Sequence, residues 1–302
     1  MLWFLFLIVL VRVELETARI SNILNYVPVL ITLCLTWFFS YIVLTLNVKP
    51  DRPFITPLEE PEPTTPPSEA LVNPAPYLNT LIIILVITLA GVILLYIARR
   101  MPRIFRSLIA ALIWTVSFGI SMLYLFLGMI LYNISISEAL FIYSIILASI
   151  ITYFTVKGGE IKSSIASSYI ASGAGSILGV SIPYWTFLIL IIGISIYDIV
   201  AVFKGHLSSI TKSDAPLLRG LVVEVGDIAL GLGDLFFYSL TISAILFNYG
   251  IASALASTTS IIIGYTIVIY TLNKRRQLPG LPIPLLLALT TAVIIHQVIL
   301  RY

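Results

Sequence analysis

Cysteine, histidine and charge are all scarce in this 302-residue chain, and each shortage removes a class of function. With Cys34 alone there is no intramolecular disulfide and no cysteine metal site. With only His206 and His296, far apart in the chain, a zinc centre is not expected either, so no metal or other cofactor is assigned. Charged residues make up 10% of the chain, where a soluble domain carries about a quarter. That level rules out a soluble globular protein and leaves no basis for a nucleic-acid partner. An internal repeat of the kind found in many transporters is also missing. What the chain has in abundance is apolar sequence: 59% hydrophobic residues and a mean hydropathy of +1.08. The expected class is an all-α integral membrane protein whose one constant partner is the lipid bilayer.

A helix needs about 20 mostly apolar residues to cross a hydrocarbon core of about 30 Å. Nine stretches qualify: 27–47, 77–98, 107–132, 134–156, 163–181, 184–204, 225–248, 250–272 and 279–300. They predict one membrane domain covering 1–302. The opening run "MLWFLFLIVLV" is shorter and lacks the basic region and cleavage site of a signal peptide, so it reads as an interfacial or partly inserted lead-in. Between the first two spans lies a Pro- and Glu-rich loop, 48–76, expected to be extended, polyproline-like and without fixed structure. Fourteen of the 17 Lys and Arg fall before span one or after spans two, four, six and eight. By the positive-inside rule the amino terminus is cytoplasmic, the carboxyl terminus is extracytoplasmic, and so is the 48–76 loop. The expected location is the cell membrane, as a multi-pass protein.

Three acids lie within or at the edge of a span away from its outer rim: Asp198, Asp227 and Asp234. Asp198 is six residues, about 9 Å, from the Lys204 end of span six. Asp234 is ten residues, about 15 Å, beyond Glu224 at the start of span seven. These are sequential antiparallel helices, so the two carboxylates come to similar depth and meet if the helices pack. Asp227 lies nearer the boundary and reads as an interfacial or access-path residue. Two close carboxylates in a low-dielectric site share a proton, so one acts as base toward water and the other donates to a carbonyl oxygen. That is aspartic protease chemistry. The same pairing also serves proton or cation relays, so on depth and pairing alone a coupled transporter stands level with a protease, ahead of a purely structural pair.

Two flanking elements add to the pair. In "LGLGDLFFYS", Gly231, Leu232 and Gly233 run directly into Asp234, and glycine lets a substrate strand approach closely. In "QLPGLPIPLLL", Pro279, Pro282 and Pro284 open span nine on the same side as the acids. They remove N–H donors and disfavour a regular helix, which leaves backbone groups free for an extended peptide. Elsewhere, Gly175 and Gly179 at four-residue spacing read as close helix packing inside the bundle.

At these residues the chain resembles the presenilin and signal-peptide-peptidase family of intramembrane aspartyl proteases. The family's Tyr-Asp, Gly-x-Gly-Asp and Pro-Ala-Leu motifs correspond to Tyr197 and Asp198, to Gly231 through Asp234, and to Pro279, Gly280 and Leu281. The order and spans also agree. Position 280 departs from the pattern, with Gly in place of Ala. The resemblance implies a nine-helix presenilin-like bundle with Asp198 and Asp234 catalytic. It implies that Tyr197, Gly231, Leu232, Gly233, Pro279, Gly280, Leu281 and Pro282 line the substrate site. The substrates it implies are single-pass transmembrane helices, cut within the bilayer. The short 205–219 loop resembles the family's microbial members, which implies one uncleaved polypeptide working without accessory subunits and leaves homo-oligomer formation open. Prepilin peptidases share the Gly-x-Gly-Asp motif but have fewer spans and lack the proline element.

Overall fold

The computed structural model describes residues 23–46, 56–135, 138–203, 220–225, 228–272 and 278–301. The lead-in run 1–11, the 205–219 loop, His206 and Asp227 lie outside these residues. Proline starts many of the helices, because its missing N–H would be unsatisfied in a first turn anyway and its fixed φ suits the helix. A short 3-10 turn, Ile23–Tyr26, leads into α1 (Val27–Thr45) with Pro28 in its first turn. A four-residue helix, α2 (Pro67–Ala70), sits in the Pro- and Glu-rich loop. The bundle continues through α3 (Ala75–Arg100), α4 (Pro102–Leu131), α5 (Ala139–Lys157), α6 (Glu160–Ser181) and α7 (Tyr184–Phe203). It closes with α10 (Pro282–Arg301), three residues later than the span expected from 279.

Between α7 and α10 runs a helical stretch, Leu232–Leu272, that is broken at Gly250 with φ 84° and ψ 175°. A left-handed φ is open to glycine at little cost, and here it ends α8 (232–249) and begins α9 (251–272). The two segments fold back on each other: the Tyr238 and Tyr265 rings are 6.5 Å apart. A straight helix would separate those residues by about 40 Å. Hydrogen bonds to α1 give the same directions. Thr36 and Ser40 pair with Ser239 and Ser243 in parallel, whereas Trp37 and Asn25 pair with Thr258 and Tyr265 in reverse. Seven helical runs among the described residues are long and apolar enough to cross a membrane. Dividing the longest at Gly250 and adding the Ser- and Gly-rich α6 accounts for the nine expected passages.

One expectation is corrected here. Residues 225–231 do not begin span seven. Strands β1 (Val222–Val225) and β2 (Ile228–Gly231) form an antiparallel hairpin with Val223 opposite Leu230 and Val225 opposite Ile228. The β-branched residues of "VVEVGDIALG" flank a Gly-Asp pair, which is a hairpin signal that overall hydropathy conceals. The Leu232 N–H donates to the Leu221 carbonyl at 2.8 Å and closes the hairpin onto the start of α8.

The centre of the bundle is held by small residues and hydroxyls, because apolar burial drives little helix association in lipid. Thr36 of α1 bonds Ser239 of α8 at 2.8 Å, and Ser239 donates to the Ser172 carbonyl of α6 at 3.1 Å. One turn on, Ser40, Ser243 and the Ser176 carbonyl repeat the arrangement at 3.0 and 3.1 Å. Gly175 and Gly179 face the same helix: a Cβ at Gly179 would lie 2.5 Å from the Leu240 carbonyl oxygen. The four-residue glycine spacing is therefore intramolecular packing against the helix that carries Asp234. On the periphery, Leu81, Leu85, Leu89 and Ile93 of α3 are exposed, as a lipid-facing helix requires.

Candidate active site

Three elements meet at one end of the bundle. Asp198 lies on α7, five residues before its last helical residue. Asp234 lies in the first turn of α8, where the exposed N–H groups of a helix favour a carboxylate. Its depth is therefore set by the β1–β2 hairpin, not by ten residues of preceding helix. The third element is the stretch 278–281, which is neither helix nor strand and runs into Pro282, the first residue of α10.

The two acids converge on adjacent residues of that stretch. Asp198 Oδ2 accepts the Leu281 N–H at 3.0 Å, and the Gly280 backbone also lies within reach of Asp198. Gly280 is packed directly on the other acid, since a Cβ added there would lie 2.9 Å from Asp234 Oδ2. Asp234 also meets Gly231, whose added Cβ would be 3.4 Å from the same oxygen and whose backbone lies within reach of the carboxyl. Both carboxyl groups are half-buried. The arrangement presents two carboxyl groups against the 280–281 backbone, with Gly231 and Gly280 both packed on Asp234.

Of the remaining sequence-derived residues, Leu281, Pro279 and Pro282 are buried and fix the stretch, while Gly233 is exposed. Tyr197 packs against the main core cluster. Leu232 and Gly233 border an open apolar cleft of about 290 Å³ that continues along Leu94 of α3, Ile109, Ile113 and Val116 of α4, and Ala174 of α6.

Tyr238 was not picked out from sequence. It is fully buried, and its hydroxyl donates to the Gly280 carbonyl at 2.8 Å. It stands one turn after Asp234 on the same helix face, and that spacing is the signal that could have found it. Residue 280 is thus fixed by Tyr238 through its carbonyl, by Asp234 through contact, and by Asp198 through the following N–H. No group of His, Cys, Asp and Glu able to hold a metal ion occurs among the described residues.

A family model described as signal-peptide peptidase, presenilin aspartyl protease matches residues 56–219, more than half of the chain. The chain belongs to that family. The matched segment contains Tyr197 and Asp198, while Asp234 and the 279–282 stretch lie beyond it. A search of curated proteins finds no match. Among solved structures the chain is similar to a presenilin family intramembrane aspartate protease in space group C222, with a TM-score of 0.63 at 19% identity, covering 90% of this chain and 97% of that one. A second structure of that description, in space group P2, gives a TM-score of 0.57 at 18% identity, covering 89% and 96%. The shared fold spans nearly the whole length of both. The chain is accordingly a multi-pass intramembrane aspartic endopeptidase of a family that acts on transmembrane substrates within the bilayer, and the transporter alternative has no support.

Proposed function

We propose that Asp198 and Asp234 are the catalytic pair of this presenilin-family protease and that they activate one water molecule for attack on a peptide bond of an unwound transmembrane helix. The observation that carries the reading is the convergence of the two carboxylates on consecutive residues, Gly280 and Leu281. In the reaction one aspartate, as carboxylate, takes a proton from water while the oxygen attacks the scissile carbonyl carbon. The other, as carboxylic acid, donates its proton to the carbonyl oxygen. Collapse of the tetrahedral species breaks the C–N bond, the departing nitrogen takes up a proton, and a carboxyl and an amine terminus are released. The pair returns to its singly protonated state, with no metal or cofactor consumed.

A membrane helix hides its own peptide groups, so the substrate has to unwind before the bond is reached, and the freed backbone then needs partners. The β1–β2 hairpin supports this reading. A two-stranded sheet has unpaired outer edges, and β2 leads straight into the Asp234 helix. An extended strand added along an outer edge of the hairpin would run toward the Asp234 end of α8. The apolar cleft bordered by Leu232, Gly233 and α4 suits lateral arrival of an apolar segment. In this reading Tyr197 lines the pocket by packing, and the positive-inside bias supports aspartates that lie toward the cytoplasmic face of the cell membrane. The chain acts without accessory subunits.

The test uses the purified chain in liposomes with a tagged single-pass substrate, reading the cut by mass spectrometry. The expected result is a cut within the apolar segment by wild type and by Asp227→Ala, and none by Asp198→Ala or Asp234→Ala. Cleavage by either of the last two variants contradicts the assignment.

A further inference from the structure

The Pro- and Glu-rich loop is not a free linker over its described part. Between 58 and 62 it is bonded to the amino-terminal ends of two helices. Glu60 reaches the start of α7: Oε1 accepts the Trp185 N–H at 2.9 Å, and Oε2 accepts the Thr186 N–H at 2.8 Å and the Thr186 hydroxyl at 2.7 Å. The Trp185 indole N–H donates to the Glu62 carbonyl at 3.2 Å. Asn79 of α3 holds the Leu58 backbone at both its N–H and its carbonyl, at 3.1 and 3.0 Å, and also reaches the Thr186 hydroxyl at 3.3 Å. One carboxylate therefore satisfies N–H groups that a helix start leaves without intrahelical partners, at the end where the helix dipole favours negative charge. Burial pushes the Glu60 carboxyl up, against the pull of its Thr186 and Trp185 donors, as suits a group built into a packed junction.

The helix so capped is the one that carries Asp198, and its packing is uneven along its length. Its buried residues run from Trp185 to Ser195, whereas Ile196, Ile199, Val200 and Phe203 around the aspartate are exposed. Helix α3 is uneven in the same sense, with Ala75, Pro76, Asn79 and Thr80 as its buried residues. Both helices are most buried at the loop end and largely exposed at the other, where the Leu281 N–H bond to Asp198 holds α7, so their shared anchor works with that bond in setting the direction of the Asp198 end.

We propose that Glu60 is a positioning residue for the proteolytic reaction: by capping α7 and joining it to α3 through Asn79 and Thr186, it fixes the helix on which Asp198 is carried to its partner. The kinetic part of this proposal rests on the assignment of Asp198 and Asp234 as the catalytic pair.

The experiment takes the full chain in liposomes with Cys34 replaced by serine and spin labels at the lipid-facing positions Val200 and Leu286, near the Asp198 and Leu281 ends of α7 and α10. It compares wild type, Glu60→Ala, Glu60→Gln and the neighbouring control Glu59→Ala. Amide exchange at Trp185 and Thr186 is expected to rise about tenfold in Glu60→Ala, with a broader label distance distribution. In unlabelled protein, kcat is expected to fall about tenfold while KM stays within about twofold. Glu60→Gln, which keeps an acceptor oxygen, falls in between, and Glu59→Ala matches wild type. Unchanged exchange in Glu60→Ala overturns the cap; faster exchange with unchanged distances and kcat overturns its positioning role. If Glu60→Ala does not fold, Thr186→Val, which removes one of the donors, carries the same comparison. Exchange and distance need no turnover, so a wild-type chain that cuts nothing would count against the catalytic assignment while the Glu60 cap is still decided.

Discussion

Asp198 accepts a hydrogen bond from the Leu281 backbone across 83 residues of chain, and the residue before Leu281 rests on Asp234. The 279–282 stretch is therefore a contact shared by the two acids as well as a candidate strand for substrate. The glycine that departs from the family pattern at 280 has a structural consequence: an added Cβ would lie 2.9 Å from the Asp234 carboxylate. Gly280→Ala is expected to displace the end of that side chain slightly and to change kcat modestly. Gly280→Val, with more bulk at the same point, is expected to lose about 100-fold in kcat, the scale on which misplacement of a reacting group is felt. Cleavage kinetics beside thermal unfolding curves check this, and a folded Gly280→Val enzyme with wild-type kcat would refute it.

Tyr238 gives a second prediction. Tyr238→Phe keeps the buried ring and removes the donor to the Gly280 carbonyl. A buried acceptor left without its partner costs about 1–3 kcal/mol, so the variant is expected to be destabilised on that scale and to lose kcat more than KM. Equal stability and kcat in the two proteins would mean that the hydroxyl does not hold residue 280.

A glycine of the α6 stripe and a lipid-facing glycine of α3 are expected to respond oppositely to alanine. At Gly179 the new methyl meets the Leu240 carbonyl and Ser243 of α8, and overpacking of this kind costs about 1–3 kcal/mol. At Gly91 of α3 nothing lies within 4 Å, so alanine is expected to be neutral or to stabilise by up to about 1 kcal/mol. Unfolding of the two variants in the same detergent decides it.

The readable part of this molecule was what periodicity, charge and local motifs encode. Apolar length located the helices, and the placement of Asp198 and Asp234 near the ends of sequential spans put them on a common level. The Gly175 and Gly179 spacing pointed to internal packing. Apolar length also misread 225–231, because a short β-branched hairpin inside an apolar region has the same composition as a helix start. That misreading puts Asp234 mid-helix where the structure has it in a first turn, and the helix carrying it is the same. Composition alone makes the loop from 48 to 76 look unstructured. What orders its described part is a set of contacts between Glu60, Asn79 and Thr186, residues far apart in sequence, for which no local pattern exists. Tyr238 stood at a readable spacing from Asp234, but its partner is a backbone carbonyl 42 residues away.

The claim that the two aspartates act as one device is tested most directly by single-turnover cleavage of a transmembrane substrate in liposomes by Asp198→Asn, Asp234→Asn and the double variant. Groups that work as a unit give non-additive losses, so each single variant is expected to fall as far as the double. Losses that instead multiply from the two singles to the double, or a single variant that still cuts at the wild-type rate, would contradict the account.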